Sequence, residues 1–101
     1  MFSFFKKEFE ETFNHPNKGI EIGMLLYVIS GHISEQTGMK PKYPNNKYKY
    51  EVYFYIANYE KAMIKISSTN KRLIIKYEGP YANKVRAIVF DVCGRLCRKN
   101  P

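Results

Sequence analysis

The stretch Tyr48-Lys49-Tyr50-Glu51-Val52-Tyr53-Phe54-Tyr55-Ile56 alternates without a break. Tyr48, Tyr50, Val52, Phe54 and Ile56 share one side and Lys49, Glu51, Tyr53 and Tyr55 the other, the period of a half-buried strand. The pattern returns twice. Ala62, Ile64 and Ile66 oppose Lys61, Met63, Lys65 and Ser67; then Leu73, Ile75 and Tyr77 oppose Arg72, Ile74, Lys76 and Glu78. Residues 57–60 and 67–70 are short enough for hairpins, so residues 48–78 read as a three-stranded antiparallel meander. Keeping the apolar faces together pairs Ile56 with Ala62, Phe54 with Ile64 and Val52 with Ile66, and on the next hairpin Ile66 with Leu73 and Ile64 with Ile75. On the other face Tyr53 then lies near Lys65 and Ile74, Tyr55 near Met63 and Lys76, and Glu51 near Ser67 and Arg72.

Working outward, Tyr81, Val85, Ile88, Val89, Val92 and Leu96 have helical spacing after the break at Gly79-Pro80, which predicts a helix over residues 81–98. Before the meander, Lys40-Pro41-Lys42-Tyr43-Pro44-Asn45-Asn46-Lys47 reads as an extended, turn-rich connection, because two prolines and two asparagines oppose regular structure. Residues 20–29 alternate like a strand, but Ile22, Leu25, Leu26, Ile29 and Ile33 also trace a helical stripe. A helix over residues 20–38 is preferred, with Asn17 as cap at its start and Gly38 as left-handed cap at its end. Gly23 and Gly31 weaken that helix unless they permit close packing. Phe2, Phe5, Phe9 and Phe13 recur at spacings of three and four, which predicts an amphipathic helix over residues 1–14 that caps the core, docks a partner or lies on a membrane surface, the last opposed by Glu8, Glu10 and Glu11. The expected fold is therefore α+β and a single domain over residues 1–101: N-terminal helices, a three-stranded antiparallel sheet, and a C-terminal helix on one sheet face.

The charge is segregated. The 101 residues carry net +8, yet residues 1–39 hold three lysines against five glutamates, net −2, and the rest hold fourteen Lys or Arg against four acids, net +10. Six of nine tyrosines lie between Tyr43 and Tyr59. A basic, aromatic sheet face suits stacked bases and phosphates, so the expected partner is nucleic acid, RNA or a single strand being favoured over sequence-specific DNA. The candidate contacts are Lys40, Lys42, Tyr43, Lys47, Lys49, Tyr53, Tyr55, Lys65, Arg72, Lys76 and Lys84. The same residues are also consistent with plain cross-strand packing beside solvated lysines. The alternative function is a protein-binding inhibitor or adaptor that blocks an acidic or nucleic-acid-binding surface, with Phe2, Phe5, Phe9 and Phe13 as its candidate contacts. A homodimer through a sheet edge or the phenylalanine helix is open as well.

Catalytic chemistry finds little footing. The chain has one aspartate and two histidines, no HExxH helix and no glycine-rich phosphate loop, so no cofactor or metal is expected and a small basic ribonuclease is the least favoured reading. His32 and Glu35 share a helix face without further ligands. Cys93 and Cys97 stand four apart and read as buried apolar residues. Without a run of about 18 apolar residues or a leader pattern at its start, the chain is expected to be cytoplasmic and not to enter a membrane.

A helix, three antiparallel strands and a second helix with a basic later part resemble the double-stranded RNA-binding domain. The resemblance spans residues 20–99, and Pro41-Lys42-Tyr43 is similar to the family's Pro-x-Tyr segment before the first strand. It implies that duplex RNA is gripped by the first helix, the loop between the first two strands and the basic start of the last helix, where Lys84 and Arg86 stand.

Overall fold

The computed structural model describes residues 8–44, 49–56, 63–69 and 71–98. They form strand β1 (Glu8–Thr12), helix α1 (Ile22–Thr37), strands β2 (Lys40–Lys42), β3 (Lys49–Tyr55), β4 (Ile64–Thr69) and β5 (Ile74–Glu78), and helix α2 (Ala82–Leu96). The strands make one antiparallel sheet in the order β1-β5-β4-β3-β2. The α+β class and the three central strands agree with the sequence reading; the sheet is wider by one strand at each edge.

Both helices cover the same face. Leu25, Leu26, Ile29 and Ile33 of α1 and Val85, Val89 and Val92 of α2 bury against Val52, Phe54, Ile64, Ile66, Ile75 and Tyr77 in one continuous core. The preferred helix at Ile22–Thr37 is therefore observed, and Gly38 ends it in the left-handed conformation (φ 75°) with its N–H donated to the Ser34 carbonyl at 2.9 Å. Thr37 then turns the chain toward β2, its hydroxyl donating to the Ile33 carbonyl at 2.6 Å and accepting from the Met39 N–H at 3.1 Å. Asn17 does not cap α1. Glu21 occupies that position without a side-chain cap bond, and Asn17 instead ties to α2: its N–H donates to the Leu96 carbonyl at 2.8 Å.

The predicted helix over residues 1–14 is corrected within Glu8–Thr12, which is an edge strand pairing Phe9 with Tyr77 and Glu11 with Ile75. A spacing of four is also an even spacing, so Phe9 and Phe13 share a strand face as readily as a helix face. Glu11 sits between them on that inward face and hides the alternation. Its charge is satisfied there: Tyr77 donates its hydroxyl to Glu11 Oε2 at 3.0 Å, and the Arg86 guanidinium donates to Oε1. Lys40–Lys42 is likewise a strand rather than a plain connection. Pro41 is tolerated because it lies on an edge.

The first hairpin has the expected register, Phe54 opposite Ile64 and Val52 opposite Ile66. The predicted Ile56–Ala62 pair lies outside the described residues. On the second hairpin Ile66 faces Tyr77 and Lys65 faces Glu78, a slip of four residues from the expected Ile66–Leu73 pair. An even slip keeps every side chain on its own face, so alternation alone could not detect it. The wide turn is held by Thr69, whose hydroxyl donates to the Arg72 carbonyl at 2.8 Å and accepts from the Arg72 N–H at 3.2 Å.

Candidate nucleic-acid interface

No described element packs over the second face of the sheet, and pairing fixes what stands on it. One row runs Lys42, Tyr53, Lys65 and Glu78 across β2, β3, β4 and β5. The next runs Glu51, Ser67, Lys76 and Glu10. Beyond the first row, Tyr55 faces Lys40. The sequence placed tyrosines and lysines together here, and that coarse picture agrees with the pairing. The sign of the face does not, because β1 and the slipped register bring in carboxylates.

Lys65 shows the consequence. Its ammonium lies 3.2 Å from Glu51 and 3.2 Å from Glu78, beside the Tyr53 ring at 5.6 Å. Burial alone would lower the Lys65 pKa, but the hydrogen bonds to Glu78 and Glu51 outweigh it and hold the group above its ordinary value. Tyr53 also donates its hydroxyl toward Glu51 at 3.4 Å. Lys65 is a structural cation at the centre of the face. Lys76 stands opposite Glu10 in register and is itself engaged.

The β2 edge differs. Lys40 and Lys42 are exposed, and among the described residues neither has a carboxylate within ion-pair distance. Residues two apart on a strand are about 6.7 Å apart on one face, so the two ammonium groups follow the edge in step. Lys42 Nζ lies 4.9 Å from the Tyr55 ring centroid, and both Tyr53 and Tyr55 are half-buried, leaving part of each ring accessible. Around the edge, Tyr43 is half exposed, shares a 2.7 Å hydrogen bond with the Ser30 hydroxyl, and sits 5.6 Å from the still more exposed Tyr27 ring. Tyr27 was missed in the sequence. Its one signal is that it falls off the apolar stripe of α1, where an aromatic side chain has nothing to bury against.

The other candidates are dispersed. Lys49 begins β3 at the end remote from Tyr55, and Arg72 is exposed in the β4–β5 turn. Lys84 lies on the first turn of α2, 5.9 Å from the Tyr81 ring and in the helical layer. Arg86, which the double-stranded RNA-binding resemblance offered to phosphate, is instead paired with Glu11 and stacked 4.4 Å from Phe9. Lys47, Phe2 and Phe5 lie outside the described residues. Phe9 and Phe13 pack against the core, Phe13 edge-on to Phe90 at 5.3 Å, so they form no docking helix.

Among the described residues no cluster of His, Cys, Asp or Glu is arranged to hold a metal ion, and no helix is long and apolar enough to cross a membrane. Cys93 and Cys97 are buried free thiols. Burial, followed by the neighbouring Cys97, raises the Cys93 pKa well above the usual thiol range, which is the behaviour of a packing residue rather than a nucleophile. No protein-family model, curated protein or solved structure matches this chain.

Proposed function

We propose that this protein binds single-stranded nucleic acid, RNA first, along the β2 edge of its sheet. One observation carries the reading: Lys40 and Lys42, without carboxylate partners among the described residues, stand directly opposite Tyr55 and Tyr53 on the face that no described element covers. Ammonium groups spaced along an extended edge engage successive phosphates, and accessible tyrosine faces stack bases without demanding a particular sequence. The net charge of +10 beyond residue 39 supplies the long-range attraction. Lys65 has no part in the contact, since phosphate would have to displace two glutamates from it.

Titration of labelled single-stranded RNA at several salt concentrations tests this. Each phosphate contact contributes roughly −0.7 to the slope of log K against log salt, so Lys40→Ala with Lys42→Ala flattens the slope by about 1.4. Tyr55→Ala weakens binding by about tenfold, at the lower end of the 1–3 kcal/mol of a stacked base. An unchanged salt slope in the double lysine variant sinks the model. A second reading, an adaptor for an acidic protein surface, draws on the exposed Tyr27 and Tyr43 rings beside the same edge. It predicts one stoichiometric protein retained after nuclease treatment and a high-salt wash.

A further inference from the structure

At the end of β3 remote from Tyr55, an open cleft of about 490 Å³ lies between the loop before α1, the start of α1, the β4–β5 turn and the end of α2. We propose that this cleft binds a phosphate monoester of nucleotide size. The proposal goes beyond the edge surface and does not rest on it.

The walls are built before any ligand arrives. The Arg98 N–H donates to the His15 carbonyl at 2.8 Å, the Asn17 N–H to the Leu96 carbonyl at 2.8 Å, and the Asn14 amide to the Arg98 carbonyl at 2.9 Å. Pro16, which is buried, forms a bridge with Cys97. The loop that carries Lys18 is thus fastened to the segment that carries Arg98. Opposite, Gly23 on the first turn of α1 lies under the Tyr50 ring so closely that a Cβ there would come within 2.9 Å of it. This contact seats α1 against β3 and leaves Tyr50 lining the cleft.

The charge in the cleft is unbalanced. Lys18, Lys71 and Arg98 come from three separate segments and are exposed, and no acidic partner lies within ion-pair distance among the described residues. Glu21 is the acid in the lining, so the Lys, Arg and Glu side chains of the site sum to +2. Elsewhere Lys65, Arg86 and Arg95 each have a carboxylate beside them. Three cations gathered in one concavity repel one another, and a bound dianion relieves that repulsion. The three side chains make the site. The volume is within the range of small-ligand sites, and Tyr50 offers an aromatic wall for a base or sugar. The shared ligand chemistry is a terminal phosphate, carried either by a free mononucleotide or by the end of a strand.

The test is calorimetric titration of the full chain with AMP, adenosine and inorganic phosphate, alongside NMR of the amides of Lys18, Gly19 and Lys71. AMP is expected to bind with a Kd of about 1 mM or tighter, adenosine at least tenfold more weakly, and the shifts to cluster on those amides. Lys71→Ala with Arg98→Ala, both at exposed positions, reduces AMP affinity at least tenfold without changing Tm. Tyr50→Leu weakens AMP while sparing inorganic phosphate. Preference for a 5′-phosphorylated oligonucleotide over its 5′-hydroxyl form assigns the site to strand ends; equal binding of AMP and the phosphorylated oligonucleotide assigns it to free nucleotide. Equal AMP affinity in the double variant and the parent, or shifts confined to Lys40 and Lys42, overturns the proposal. Lys40→Ala with Lys42→Ala leaves AMP binding unchanged, which separates failure here from failure of the edge surface.

Discussion

The two edges of the sheet use charge in opposite ways. At the β1 edge, Glu11 turns inward and is met by Tyr77 and Arg86, with the Phe9 and Phe90 rings 4.4 Å and 5.8 Å from the guanidinium. At the β2 edge, Lys40 and Lys42 turn outward beside tyrosine rings. An inward carboxylate met by a guanidinium and a hydroxyl ties a strand to the elements behind it; an ammonium group without a carboxylate beside it contributes attraction for something outside the molecule. The difference teaches that a lysine count is a poor guide to a binding surface. What matters is where the nearest carboxylate stands, and Lys65, tied between two glutamates, belongs with the first edge despite its place on the open face.

The comparison breaks most readily at Glu11. Glu11→Ala leaves Arg86 and the Tyr77 hydroxyl without their acceptor and lowers stability by about 2–3 kcal/mol in urea titration, less than for a fully buried pair because Arg86 is partly exposed. A loss of under about 0.5 kcal/mol, the range of ordinary surface changes, makes the two edges equivalent and ends the distinction. Replacing all three groups, Glu11→Leu with Arg86→Met and Tyr77→Phe, recovers most of the loss.

Alkaline titration sharpens the same contrast. Burial and the hydrogen bond to Glu11 raise the Tyr77 pKa, and burial with Cys97 raises that of Cys93, so in the folded chain both groups keep protons that the unfolded chain releases near 10.0 and 9.0. Lys65 is raised as well and stabilises the fold below its ordinary 10.5. In all three cases the unfolded state binds fewer protons as pH rises, so stability is full below about pH 9 and falls above it. Tyr77→Phe with Cys93→Ala flattens that fall, whereas Lys40→Ala with Lys42→Ala leaves it in place; circular dichroism melts from pH 7 to 11 read both. The smallest effects are expected from the lysines singly. Lys65→Ala lowers stability by up to about 1 kcal/mol and leaves RNA affinity within twofold, while Lys42→Ala changes stability by less than about 0.5 kcal/mol and weakens RNA binding.

The three central strands, both described helices and the left-handed cap at Gly38 were legible because each rests on a local pattern: alternation, a 3.6-residue stripe, a glycine where one is needed. Gly23 was legible as a glycine awaiting close packing, and Tyr50 supplies it. The β1 strand was not legible, since four-residue phenylalanine spacing fits both periods and the inward Glu11 breaks the alternation. Nor was the second hairpin register, because an even slip changes partners without changing faces. Of the candidate contacts, Lys40, Lys42, Tyr53 and Tyr55 come together at one edge. Lys65 meets a carboxylate from the next strand, Glu78, and Lys76 stands opposite Glu10 in register, pairings that local pattern does not reveal.

The order of hydrophobic and polar residues by itself determined the α+β class, the sides of the central strands and the excess of positive charge in the later part of the chain. These depend on periods of two and 3.6 residues and on counting. Only the tertiary structure decided which lysines meet a carboxylate and which, among the described residues, do not, because an ion pair is a distance between segments. That distance follows from strand order and register, neither of which a side chain's own neighbours specify.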